Sequence, residues 1–314
     1  EDVPILGVGE SSLPQNKTFF DAIGIEESEW MEKCHAVYKY GNIKKGWDKI
    51  DGEPFTFTFW HNDNNIFSEW YKQNKNKHQI NELYSKDKWG SVAYHLDAEE
   101  SSVMIKAHCK NINHKVETLS ELPEGYDLYV DCTGFSRKFI KDKSEVIFDD
   151  HLVDSAWICP YKQTGEIENY TKSIARDYGW QFVIDLTNKI GNGYVFASKY
   201  ISDDLAYKQF KEMNCNLNPI GEPRLLKWKP NILKNAWYDD VVAIGLSSGF
   251  IDPLEANALY MTVYGITSLV DCINKNKSKE VYNRNMRKVW KGNSDFIPVS
   301  YTHLRAHETP EQRV

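Results

Sequence analysis

The chain has 314 residues, 41% of them hydrophobic and 13% aromatic, enough to bury a core in one large or two smaller domains. A formal net charge of −7 offers no basic footprint for nucleic acid. No apolar run reaches the roughly 20 residues that span a bilayer. The six cysteines (Cys34, Cys109, Cys132, Cys159, Cys215, Cys272) are scattered with no C-x-x-C pair. They read as buried thiols in a reducing compartment, so the expected location is cytoplasmic, with no disulfide framework or metal site and no nucleic-acid or membrane partner.

Along the chain, Asn16–Ile23 and Glu26–Cys34 read as short helices joined near Gly24, and Val37–Tyr40 as extended. Phe55 to Trp60 alternates aromatic and polar residues at period two, the pattern of a half-buried antiparallel strand. Ile66–Tyr84 reads as helix and loop, with Gln73–Lys77 and Asn274–Lys279 as solvated loops. Asp97–Cys109 predicts a helix and Asp127–Cys132 a strand ending in a Thr-Gly turn. Ser155–Pro160, Trp180–Leu186 and Tyr194–Ser198 read as strands of a second sheet. Ser202 then caps a helix whose Ala206, Phe210 and Met213 share one face. Val241 to Gly245 reads as a short buried strand closed by glycine, Leu246 to Glu255 as a tight polar turn, and Ala256 to about Ile273 as an apolar-periodic helix. Strand, small-residue turn and helix N-terminus together suit an anion or the edge of a flavin, or form an ordinary βα connection.

That segment, Gly245-Leu246-Ser247-Ser248-Gly249-Phe250-Ile251-Asp252-Pro253-Leu254-Glu255, resembles the G-L-S-S-x-F-x-x-P-L-E signature of the flavin-dependent halogenases, the tryptophan halogenase family. Further landmarks follow in register. Gly7 to Pro14 resembles G-V-G-E-A-T-I-P; Glu29-Trp30-Met31 precedes Lys39 at the family's usual distance; His95-Leu96-Asp97-Ala98 resembles H-F-D-A and Asp131-Cys132-Thr133-Gly134 resembles D-C-S-G. Tyr170 to Ala175, Gly179 to Ile184 and Gly191 to Phe196 complete the series. The resemblance implies a mixed α/β fold of flavin monooxygenase type, a Rossmann-like FAD-binding domain interleaved with an antiparallel substrate-side sheet. No G-x-G-x-x-G occurs, so the first βαβ unit is expected to be missing. A strand pair is expected to be absent before Tyr126. Residues 1–297 are read as the halogenase domain, and 298–314, including His303 and His307 at metal-ligand spacing, as an unrelated adaptor-like tail.

The resemblance also assigns chemistry. Reduced FAD from a separate reductase, oxygen and a halide ion give hypohalous acid, which is relayed through a tunnel to Lys39 for electrophilic halogenation of an aromatic, indole- or phenol-like, substrate. Lysine suits this because burial frees a nucleophilic amine. Glu255 would orient the lysine or take the ring proton, or merely support the helix start. Both groups must meet in one sheltered channel. Gly9, Glu10, Ser11, Thr133, Gly134, Gly245, Leu246 and Ser247 would contact FAD, while Trp180 and Phe182 would wall the substrate from it. Phe182 and Asp185 stand where the family's W-x-W-x-I-P has tryptophan and proline. Asn257 and Ala258 would hold the halide through backbone N–H groups, although the family's Ser-Thr-Gly is here Ala256-Asn257-Ala258. Loss of that glycine leaves Asn257 as the residue best able to take positive φ. Two alternatives stand beside this: a flavin monooxygenase that hydroxylates its substrate, and an inactive fragment that binds no FAD.

Overall fold

The computed structural model describes residues 8–47, 54–59 and 92–301. Gly7, Trp60, the Ile66–Tyr84 segment, the Gln73–Lys77 patch, and His303 and His307 lie outside the described residues. The chain divides into two compact units, one built from the described residues up to His108 with Ser155–Lys227, the other from Cys109–Asp154 with Trp228–Tyr301.

The first unit opens with β1 (Glu10–Ser11), α1 (Lys17–Ile23), α2 (Glu27–Lys33), β2 (Val37–Lys39), β3 (Gly41–Lys45), β4 (Phe55–Thr58), β5 (Ala93–Leu96) and α3 (Ala98–His108). The second unit begins with β6 (Tyr129–Asp131) and β7 (Glu145–Ile147). The first resumes with β8 (Ser155–Lys162), β9 (Thr171–Arg176), β10 (Gly179–Asp185), β11 (Lys189–Phe196), α4 (Asp203–Met213) and β12 (Arg224–Lys227). The second closes with β13 (Asn231–Leu233), β14 (Trp237–Tyr238), β15 (Val241–Ala243), β16 (Gly249–Phe250), α5 (Asn257–Asn274) and α6 (Lys279–Tyr301).

In the first unit a seven-stranded sheet runs β12-β8-β11-β10-β9-β3-β4, and a three-stranded sheet runs β1-β5-β2. The strands expected from Ser155, Trp180 and Tyr194 all form and lie in the larger sheet. The Phe55 strand forms and pairs antiparallel with β3. Helix α1 stops where Gly24 takes φ +74°, a conformation glycine adopts without strain. Helix α4 starts where the Ser202 hydroxyl accepts from Leu205 N at 3.3 Å, and it buries Ala206 and Phe210 against Tyr161, Tyr194 and Phe196, with Met213 packed alongside. A short-range feature sits on β11: a Cβ at Gly193 would lie 2.4 Å from the Phe182 ring, so only glycine lets that ring cross the neighbouring strand.

In the second unit β6 and β15 pair in parallel within the sheet β14-β15-β6, and β16-β13-β7 forms a second sheet. Ile140, Leu233, Val241 and Ala243 make its core cluster. Residues 109–128 contain no strand. The Leu246–Glu255 segment is more structured than a simple turn. Gly249–Phe250 forms β16 against β13, because distant Asn231 and Ile232 supply partners that local sequence does not announce. Helix α6 was not expected; its buried Tyr282, Met286, Trp290 and Ile297 recur at helical spacing and were the available signal. Of the six cysteines, Cys34, Cys159 and Cys272 are buried while Cys109, Cys132 and Cys215 are exposed, so the expectation of buried thiols holds for half of them. Among the described residues no helix is long and apolar enough to cross a membrane.

Candidate functional site

Lys39 ends β2 wholly buried. Its Nζ donates to the Ser12 carbonyl oxygen at 3.1 Å and lies 5.1 Å from the centroid of the Phe59 ring. A buried ammonium needs such partners, because an unpaired one is expelled by its desolvation penalty. Ser12 follows β1, so the Gly9–Ser11 loop and Lys39 occupy one neighbourhood of the first unit. Gly9 has φ +144°, a glycine conformation, at a point where a Cβ would meet Leu186 at 3.4 Å. Glu10 pairs with Leu96, and burial pushes its carboxyl up to about 7. Ser11 Oγ lies 2.9 Å from Thr171 Oγ1.

Trp180 and Phe182 point to one face of β10 with ring centroids 6.1 Å apart, and Trp47 extends the aromatic surface at 6.4 Å from Trp180. Trp180 is buried and Phe182 half-buried. Asp185, which stands at the proline position of the family pattern, is buried and accepts from Glu168 N at 3.1 Å and Gln163 Nε2 at 3.2 Å. Desolvation raises its pKa.

In the second unit the carboxyl ends of the parallel strands β6 and β15 lie side by side, with Asp131 opposite Ala243. Each is followed by a tight turn containing glycine at positive φ, Gly134 at +66° and Gly245 at +67°. Asp131 organises the pair. Burial opposes its charge, but hydrogen bonds from the Thr133 hydroxyl and from the N–H groups of Thr133, Phe139 and Ile140 hold its carboxyl below the usual value. The Thr133 hydroxyl thereby turns back onto Asp131, at 2.6 Å, and Ser247 Oγ donates to Gly134 O at 3.2 Å. Arg137, which sequence reasoning missed, is buried and joins the turns to the second sheet. It donates to Ser247 O at 2.9 Å and Asn231 Oδ1 at 2.6 Å, and pairs with Glu145. No local spacing signals that role.

Glu255 and Ala256 adopt consecutive left-handed conformations, φ 62° and 58°, immediately before α5, whereas Asn257 is helical at φ −72°. Positive φ thus falls on the two residues before the one expected to take it. The reason is that Asn257 is the first helical residue, its side-chain amide donating to Leu254 O at 3.1 Å. The N–H groups of Asn257 and Ala258 stand in the first turn of an 18-residue helix, where intrahelical acceptors are lacking.

The structure thus gathers the predicted residues into two sets. Lys39, Gly9, Glu10, Ser11, Trp180 and Phe182 belong to the first unit; Thr133, Gly134, Gly245, Leu246, Ser247, Glu255, Asn257 and Ala258 belong to the second. Parallel strands ending in glycine turns are where α/β sheets bind nucleotide cofactors. A Cβ at Gly134 would meet nothing within 4 Å, so that turn leaves room for a cofactor to approach main-chain donors. The residues present fit FAD.

Fold and turns define an α/β protein of the kind that binds a nucleotide cofactor at the ends of parallel strands. The chain belongs to the tryptophan halogenase family, whose profile matches residues 1–95 and 94–311. It is 25% identical over 377 residues to Tryptophan 7-halogenase RebH of Lentzea aerocolonigenes, covering 98% of this chain and 71% of that protein. It is 24% identical over 377 residues to Tryptophan 6-halogenase ThaL of Streptomyces albogriseolus, with coverage of 98% and 71%. Among solved structures it is similar to Xcc4156, a flavin-dependent halogenase from Xanthomonas campestris, with TM-score 0.82, 22% identity and coverage of 99% and 72%. BrvH, a flavin-dependent halogenase from Brevundimonas sp. BAL3, superposes with TM-score 0.79, 24% identity and coverage of 98% and 75%. The protein is accordingly an FAD-dependent oxidoreductase, a halogenase that uses FAD and halide.

Proposed function

We propose that this halogenase delivers an electrophilic halogen from Lys39 to an aromatic, indole- or phenol-like substrate. When bound, reduced FAD, supplied by a separate reductase in the cytoplasm, would contribute the oxidising chemistry that converts halide to hypohalous acid with oxygen. The observation that carries the reading is the complete burial of Lys39 with its ammonium held by a main-chain carbonyl. A lysine kept out of water can hold hypohalous acid by hydrogen bond, or release a proton and take the halogen on nitrogen as the oxygen–halogen bond breaks and water leaves. Trp180 and Phe182 would exclude water and keep substrate from the flavin. The main-chain edges of Gly9–Ser11, Thr133–Gly134 and Gly245–Ser247 would hold FAD, and the N–H groups of Asn257 and Ala258 would hold the halide. Glu255 would accept the ring proton after attack. The indole class is supported by relatives whose names make them tryptophan halogenases; phenylalanine at Phe182 argues against carrying free tryptophan over unchanged.

Lys39→Ala tests the reading. Halogenated product, read by its isotope pattern in mass spectrometry, is expected to fall at least about 100-fold, the scale of a lost catalytic group. Oxidation of reduced FAD should continue at the wild-type rate. Undiminished halogenated product would show that the halogen reaches the substrate without the Lys39 amine and overturn the proposal.

A further inference from the structure

One face of the β1-β5-β2 sheet collects polar side chains that the reading of Lys39 does not use. Ser11 and Val37 stand opposite His95 from either side, so Lys39, two residues beyond Val37, shares their face. Ser11, His95, Thr171 and Lys39 are all buried. His95 Nδ1 lies 3.2 Å from the Asp185 carbonyl oxygen, and a carbonyl only accepts, so Nδ1 carries the proton and donates. Burial first, and the Lys39 charge second, push the His95 pKa down to about 3, which leaves the ring neutral and Nε2 an acceptor. The Thr171 hydroxyl, 2.9 Å away, therefore donates to Nε2. Its oxygen in turn accepts from Ser11 Oγ at 2.9 Å.

The direction of every bond in the chain Ser11 to Thr171 to His95 to Asp185 is thus settled by the carbonyl at its end. Ser11 continues into Ser12, whose carbonyl receives the Lys39 ammonium. Ser12 is held a second time by β5, its N–H donating to Tyr94 O at 2.8 Å and its hydroxyl accepting from Tyr94 N at 2.9 Å. We propose that His95 is a positioning residue for Lys39, fixing through Thr171 and Ser11 the main chain that holds the amine. The family pattern has alanine where this chain has Ser11, so the anchor is a property of this polypeptide. The functional consequence rests on the role given to Lys39 above; the positioning itself does not.

The test uses the full chain without FAD. Lysine-selective 15N labelling, with the Lys39 ammonium signal assigned by its loss in Lys39→Ala, gives the exchange rate of its Nζ protons with water. Ser11→Ala and Thr171→Val should each speed that exchange about fivefold, the factor set by one net hydrogen bond. Thr171→Ser, which keeps the hydroxyl, should restore the slow rate. Lys44, buried on β3 with its ammonium 4.9 Å from the centroid of the Trp47 ring, should be unaffected. Equal rates in Thr171→Val and wild type, or acceleration of Lys39 and Lys44 together, would overturn the proposal. His95→Phe is the direct variant; the Thr171 pair decides the matter should that protein fail to fold. Intact halogenation by Lys39→Ala would remove the role of Lys39 while the exchange rates still decide whether His95 positions it.

Discussion

Glu255 and Ala256 hold two consecutive left-handed conformations, φ 62° and 58°. Left-handed backbone brings Cβ against the following carbonyl and costs about 1–2 kcal/mol for a residue other than glycine. Two in succession before α5 persist because Leu254 and Asn257 on either side are buried and hydrogen-bonded. Ala256→Gly removes one penalty and adds about 0.5–1 kcal/mol of chain entropy to the unfolded state. The balance favours the variant by roughly 0.5–1 kcal/mol, to be read as a higher urea midpoint at unchanged slope. A lower midpoint would mean the segment is not strained.

Glu10 poses the opposite case, a group whose burden depends on pH. Its folded pKa of about 7 lies above the value of 4.5 for an unburied carboxyl, so the folded state favours the protonated form. Stability is therefore complete below pH 4.5 and declines as pH rises through 7. Glu10→Gln, neutral throughout, should be more stable than wild type by about 3 kcal/mol at pH 8. The two should converge below pH 4.5 in denaturant titrations, and parallel curves across that range would contradict the desolvation argument.

Elements differ in how far local sequence specifies them. Helix α4 was legible because its cap, its acidic first turn and its apolar face all lie within a dozen residues. Strand β16 was not, since its strand partner is the distant β13, and neither Arg137 nor the His95 chain announces partners that lie far away in sequence. The candidate lysine and acid came from motif spacing alone, and only burial distinguishes Lys39 from a surface lysine. Strand pair β10–β11 carries a prediction of its own. Gly193→Ala would drive a methyl into the Phe182 ring, displacing the side chain assigned to the barrier. Overpacking of this kind costs about 1–3 kcal/mol, and Phe182→Leu in the same molecule should recover most of it. The coupling is measured by thermal melts of the four proteins in the cycle; additive losses would show that ring and strand do not compete for the space.

At the scale of the whole molecule the decisive quantity is whether this polypeptide holds FAD, given that it carries the glycine turns at the ends of β6 and β15 but no G-x-G-x-x-G. A ligand that binds only folded protein adds stability by mass action, about 2.7 kcal/mol at 100 times its dissociation constant. For a chain of this size that corresponds to a rise in Tm of about 5 °C. The turns make the effect separable from nonspecific stabilisation. At Gly134 the space is open but φ is +66°, so Gly134→Val strains the turn and places a branched side chain where main-chain donors would meet the cofactor. The expected outcome is a saturable FAD-dependent shift in wild type that is lost in Gly134→Val, with the two apoproteins differing by no more than the cost of the strained residue. Equal shifts in both would place FAD elsewhere; no shift in either would mean that the fold built by these residues does not retain the cofactor its family uses.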